Sequence, residues 1–118
     1  MLDGATLMLE IVERYILGQG RTVFLITSGL EPVGVIHPQT IRDMPKVLWG
    51  ATTAGQVMTP LEQLPRMHRD TGVVDLLDEL DDDDSPPAIL LTADGAVVGA
   101  LGRSEINQYM KTREELGM

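Results

Sequence analysis

Residues 24–36 read FLITSGLEPVGVI, and residues 89–101 read ILLTADGAVVGAL. At an offset of 65 the two stretches align without a gap and share Leu, Thr, Val and Gly in four of thirteen columns. Phe24-Leu25-Ile26-Thr27 falls on Ile89-Leu90-Leu91-Thr92, and Val33-Gly34-Val35-Ile36 falls on Val98-Gly99-Ala100-Leu101. Most other columns keep apolar character. The same offset places Leu9 and Val12 on Val74 and Leu77, and Ile41 on Ile106. One offset held across a helix, a hairpin and a second helix marks a repeated supersecondary unit.

Each unit reads as strand, helix, strand, strand, helix. In the second, Leu64–Met67 is a short strand after a proline stop at Pro60. Asp70 or Thr71 caps a helix with Val73, Leu76, Leu77 and Leu80 on one face. Ala88–Thr92 and Ala96–Leu101 are strands joined at Asp94-Gly95, a tight-turn pair. A final helix runs from Arg103 to about Glu115. In the first unit, Thr6–Leu17 is a helix with Leu9, Val12 and Ile16 on one face, stopped by Gly18 and Gly20. Thr22–Thr27 and Pro32–Ile36 are strands around Gly29-Leu30. A short helix opens at Pro38, which suits its first position, and Pro45 limits it. The first strand is nearly absent from unit one, as expected of a chain cut from a longer one or of an atypical start. The organisation is residues 1–45 as first repeat, 46–60 as bridge and 61–118 as second repeat.

At 118 residues the chain holds one compact domain or two very small ones. Hydrophobic residues make up 43% and aromatics 3%, so the core is built from aliphatic side chains and Met. Met8, Met44, Met58 and Met67 suit gaps in such a core. The net charge of −9 argues against nucleic acid and anionic membrane as partners. The absence of Cys excludes disulfides, thiolate metal sites and cysteine nucleophiles. Two histidines, His37 and His68, are too few for most zinc sites. No secretory signal and no span of about 18 uninterrupted apolar residues is visible.

With the repeat stand Val57-Met58-Thr59-Pro60 and two Gly-apolar-apolar turns into helices, Gly34-Val35-Ile36-His37 and Gly99-Ala100-Leu101-Gly102. Together they resemble a tandem pair of cystathionine-β-synthase (CBS) domains, a Bateman module, over about residues 4–114. The ending Gly102-Arg103-Ser104-Glu105-Ile106 looks like that family's Gly-apolar-apolar-Thr-Arg-Ser-Asp-Ile phrase. The resemblance implies an α+β fold of two β-α-β-β-α repeats. They pack strand face to strand face about a pseudo-twofold axis, the first lacking most of its first strand. A narrower likeness runs through Leu9–Leu17, Pro45-Lys46-Val47-Leu48-Trp49 and Met58-Thr59-Pro60. It is similar to the CBS pair appended to site-two-type membrane zinc metalloproteases. The zinc motif His-Glu-x-x-His is absent here, so this chain would be a regulatory part and its parent chain the protease.

The resemblance also implies ligand clefts between the repeats for AMP, ADP, ATP or S-adenosylmethionine. Carried over by position, the ligand-binding residues are Gly102, Arg103, Ser104 and Glu105 in unit two, with Thr59, His37 and Thr40 around unit one. The family's Thr and Asp positions are His37 and Thr40 in unit one, and Gly102 and Glu105 in unit two. Unit two keeps a carboxylate and is the better candidate cleft. Each residue also has a structural use. Glu105 can close a capping box, His37 can cap a Pro-started helix, and Thr59 can aim the strand after it. Arg103 and Thr40 can be solvated helix residues, and Trp49 can anchor the bridge. The acidic run Asp81–Asp84 fails the calcium-loop pattern, with Pro86 and Thr92 where Gly and Glu are needed, and reads as a solvated loop.

Three functions follow. The first is a regulatory sensor, homodimeric through helix faces, cytoplasmic or tethered to the cytosolic side of a membrane by its parent chain. The second is a ligand-free dimerisation module. The third, a free-standing enzyme, is disfavoured. No P-loop or dinucleotide fingerprint occurs, and Ser104 has no obvious neighbouring base.

Overall fold

The computed structural model of the chain describes residues 1–72, 75 and 86–117. The helix expected over Val73, Leu76, Leu77 and Leu80 and the acidic run lie outside these residues. Two small sheets carry the fold. The first has the order β1-β2-β3-β4, formed by Leu2–Asp3, Phe24–Ser28, Glu31–Ile36 and Thr59–Pro60. The second has the order β5-β6-β7, formed by Arg66–His68, Ile89–Ala93 and Ala96–Leu101. In each, the first strand runs parallel to the second and the hairpin is antiparallel.

The repeat extends to individual hydrogen bonds. Leu2 pairs with Ile26 as Met67 pairs with Leu91. A register shift falls between Ile26 and Thr27, and another between Leu91 and Thr92. Gly4 N–H donates to Thr27 O and Arg69 N–H to Thr92 O, both at 2.9 Å. Ala5 N–H donates to Asp3 Oδ1 at 2.8 Å where, 65 residues on, Asp70 N–H donates to His68 Nδ1 at 3.1 Å. The first strand of unit one has two residues against three in unit two. The second-unit strand begins at Arg66, two residues later than its apolar run suggests. Leu64 is spent instead on the buried seam.

Strand alternation explains the layers, because successive side chains point to opposite faces. Leu25 and Val35 face the second sheet and form one cluster with Leu61, Leu64, Ala88 and Leu90. Phe24, Ile26 and Ile36 face the other way, onto Leu2, Met8, Ile11 and Ala54. Ile89 likewise turns from the seam to Ile106 of the last helix. Each fully buried aliphatic side chain contributes about 1.5–3 kcal/mol.

The helical run of unit one comprises α1 (Met8–Glu10), a π-helical segment (Ile11–Ile16) and α2 (Leu17–Gln19). Its inward face is Met8, Ile11 and Val12, whereas Leu9 is exposed. Of the expected face, Val12 is buried and Ile16 packs against the same cluster, but Leu9 points outward and Met8 and Ile11 fill the inward positions beside Val12. Gly18 lies inside α2, and Gly20, left-handed at φ 71°, is the stop. The second hairpin turns on Asp94 and Gly95, both at positive φ, 53° and 81°, as a tight turn of this type requires. After β3 comes α3 (Pro38–Arg42); after β7 comes α5 (Arg103–Glu115). Among the described residues no helix is long and apolar enough to cross a membrane.

Residues 46–60 are bound to the first sheet. A 3-10 turn (Lys46–Leu48) leads to α4 (Ala54–Val57) and β4. Met8 N–H donates to Thr52 O and Ala54 N–H to Thr6 O, both at 2.8 Å. Trp49 packs against the cluster containing Met8 and Phe24. Strand β4 pairs with Gly34 and Val35. A Cβ on Gly34 would stand 2.5 Å from Met58 Sδ and 2.9 Å from Thr59 O, whereas one on Gly99 meets only Leu91 Cδ1 at 3.9 Å. Gly34→Ala is therefore expected to destabilise by about 1–3 kcal/mol. The matching Gly99→Ala is expected to stay within about 0.5 kcal/mol. Urea denaturation of the two variants checks the difference.

Candidate functional site

Where β3 runs into α3, His37 takes the position before the helix, with extended backbone at φ −136°. Pro38 follows as the first helical residue, its fixed φ suited to that place. Thr40 Oγ1 accepts the His37 N–H at 3.5 Å, and Thr40 N–H donates to His37 O at 3.0 Å. The His37 ring is buried and its Nε2 shares a 2.9 Å hydrogen bond with Thr59 Oγ1 of β4. Its other nitrogen, Nδ1, is buried without a partner. Burial pushes the imidazole pKa below 6.5; Asp43 pulls it up, and Arg42 pushes it down further.

Beside this ring lies an open depression of about 420 Å³. Its lining includes His37, Thr40 and Thr59, the three candidates from unit one and the bridge, together with Met44 and Val57. It also includes Asp43, which the sequence reading passed over. The signal was present: Asp43 stands three residues after Thr40, so a short helix carries both on one face. Unit one thus has a carboxylate at its depression, although its motif position holds Thr40. One oxygen, Asp43 Oδ1, accepts from Gln39 Nε2 at 2.6 Å.

The unit-two candidates are arranged differently. Gly102 precedes α5 in extended conformation and is buried. Arg103 and Ser104 form the first turn of α5. Glu105 Oε2 accepts the Gly102 N–H at 3.0 Å, and Oε1 accepts the Thr22 hydroxyl at 2.9 Å. Both carboxylate oxygens are therefore engaged, one on its own helix start and one across the seam on unit one. A Cβ at Gly102 would stand 2.7 Å from Val23 Cγ2, so this position lies against the strand entry of unit one. Among the described residues no group of three or more metal-ligating side chains occurs.

The architecture matches solved CBS-domain structures. A putative signal-transduction protein with CBS domains from Burkholderia ambifaria superposes with a TM-score of 0.74 at 9% identity, covering 95% of this chain and 82% of that one. The CBS domains of a transcriptional regulator from Streptococcus pneumoniae give 0.65 at 14% identity, covering 92% and 86%. The CBS domain of a CBS-domain-containing membrane protein from Sphaerobacter thermophilus gives 0.61 at 14%, covering 92% and 79%. No protein-family model matches the sequence, and no curated protein matches it. At such identities the likeness establishes the fold: two α+β repeats of the CBS type.

Two measurements probe the site. His37 is harder to protonate folded than unfolded, so the unfolded state binds more protons just below pH 6.5. Its contribution to stability is full above about pH 6.5 and declines as the pH falls toward the lowered folded value. Urea midpoints of the native chain should show this slope, and His37→Gln should flatten it. Removing the Thr22 hydroxyl in Thr22→Val should cost about 1 kcal/mol. Glu105→Ala should cost about 2 kcal/mol, since the Gly102 N–H also loses its cap. The double variant should cost little more than Glu105→Ala alone.

Proposed function

We propose that this chain is a regulatory module that senses a small adenine-bearing ligand and controls an attached effector. The observation that carries the reading is the depression beside β3 and β4, where His37, Thr40, Thr59 and Asp43 meet over apolar Met44 and Val57. A few convergent polar groups on a partly apolar concavity suit a small-molecule site. The CBS-type fold supports the regulatory role by analogy. Ligand binding would act by favouring one arrangement of the two repeats over another, to the extent of its differential affinity. The effector we propose is an intramembrane zinc metalloprotease, on the likeness of Leu9–Leu17 and the Pro45–Pro60 bridge to the CBS pairs of such enzymes.

A second reading, a ligand-free homodimerisation module, is favoured by two specific observations. Glu105 has both oxygens engaged within the chain. Leu9, Leu17 and Leu48 are exposed at 38%, 76% and 47%, which leaves apolar surface for a second copy to cover. Calorimetry with AMP, ADP, ATP and S-adenosylmethionine separates the two. Saturable heat from at least one compound is expected. Silence from all four, with a tight dimer that none of them perturbs, would leave the second reading.

A further inference from the structure

The depression beside His37 has the wrong donors for a phosphate. Among its described lining residues there is no Lys or Arg, and Asp43 places a carboxylate at its rim. The neighbouring Arg42 is exposed and gives Nη2 to Gln39 Oε1 at 2.9 Å. The start of α3 offers little to an anion. Pro38 has no N–H, the Thr40 N–H is bonded to His37 O, and the His37 N–H is covered by Thr40 Oγ1. The helix has five residues, too few for a substantial dipole. The His37 ring, buried and bonded to Thr59, stays uncharged at neutral pH. The chain as a whole carries −9, which repels polyanions at longer range.

What the depression does offer is acceptors and hydroxyls over an apolar patch. Asp43 has one oxygen beyond its bond to Gln39, the Thr40 and Thr59 hydroxyls line the same space, and Met44 and Val57 supply apolar contact. We infer that this depression takes a ring-bearing ligand with hydroxyl or ammonium donors and no phosphate, a nucleoside rather than a nucleotide, with Asp43 accepting from those donors. The inference rests on the ligand-sensing reading above and restricts it.

The test is calorimetry of adenosine, AMP and ATP against the native chain and Asp43→Asn, with amide NMR shifts of His37 and Thr59 to place the binding. Adenosine is expected to move those signals and to bind about tenfold or more tighter than AMP. Asp43→Asn, an exposed position, is expected to shrink that ratio by weakening adenosine and strengthening AMP. AMP or ATP binding at those signals as tightly as adenosine would overturn the inference, as would a ratio unchanged by Asp43→Asn. Nucleotide binding that moves only Gly102 and Glu105 would overturn it and leave ligand sensing standing. Silence from all three compounds would overturn the inference and leave ligand sensing to rest on ADP and S-adenosylmethionine.

Discussion

Two small sheets each present an apolar face that neither can cover alone, and their mutual burial is the constraint on which the rest of the molecule depends. Leu25 and Val35 of one sheet close against Leu64, Ala88 and Leu90 of the other. Neither sheet is wide: four strands, two of them two residues long, against three. A sheet of that size leaves too much surface wet to be stable by itself. Because the strands alternate, the seam then dictates which residues face outward. Phe24 and Ile26 must be covered by the N-terminal helical run and the bridge, and Ile89 by α5.

Pairing by pseudo-symmetry makes equivalent positions comparable, and their differences carry the chemistry. Thr40 and Glu105 occupy the same place, three residues into the helix after the hairpin. Each covers the N–H of the residue before that helix, His37 or Gly102. The longer Glu105 has a second oxygen to spend and uses it on Thr22, tying the end of the chain to its first repeat. The residue equivalent to Thr22 is Pro87, which has no donor to offer, so unit one has no matching tie. Unit one instead holds its bridge: His37 meets Thr59, and β4 covers the edge of β3 at Gly34. The same template thus yields an inter-repeat latch on one side and an open depression on the other.

Much of this was legible in residues 24–36 and 89–101. Their common offset predicted two hairpins with the same partners, and Pro38 placed the start of α3 where it stands. Local signals served less well where packing chose between near-equivalent options. The N-terminal helical run buries Met8 and Ile11 and leaves Leu9 in water, although all three are apolar. Gly18 is accommodated within that run, and the left-handed Gly20 ends it.

By itself the sequence determined the repeat, the hairpins, the turn at Asp94-Gly95 and the closing of the α5 start by Glu105. These depend on side-chain period and backbone preference within a few residues. His37, expected to cap α3, spends its ring on Thr59 instead. Only the tertiary structure decided that Glu105 would reach Thr22, 83 residues away. It alone brought Asp43, Thr59 and Val57 to the rim of one depression. Local dihedral preferences say where a strand or helix begins. Which distant segment then comes within 3 Å of it is set by how two apolar faces exclude water together, and no stretch of either repeat encodes that alone.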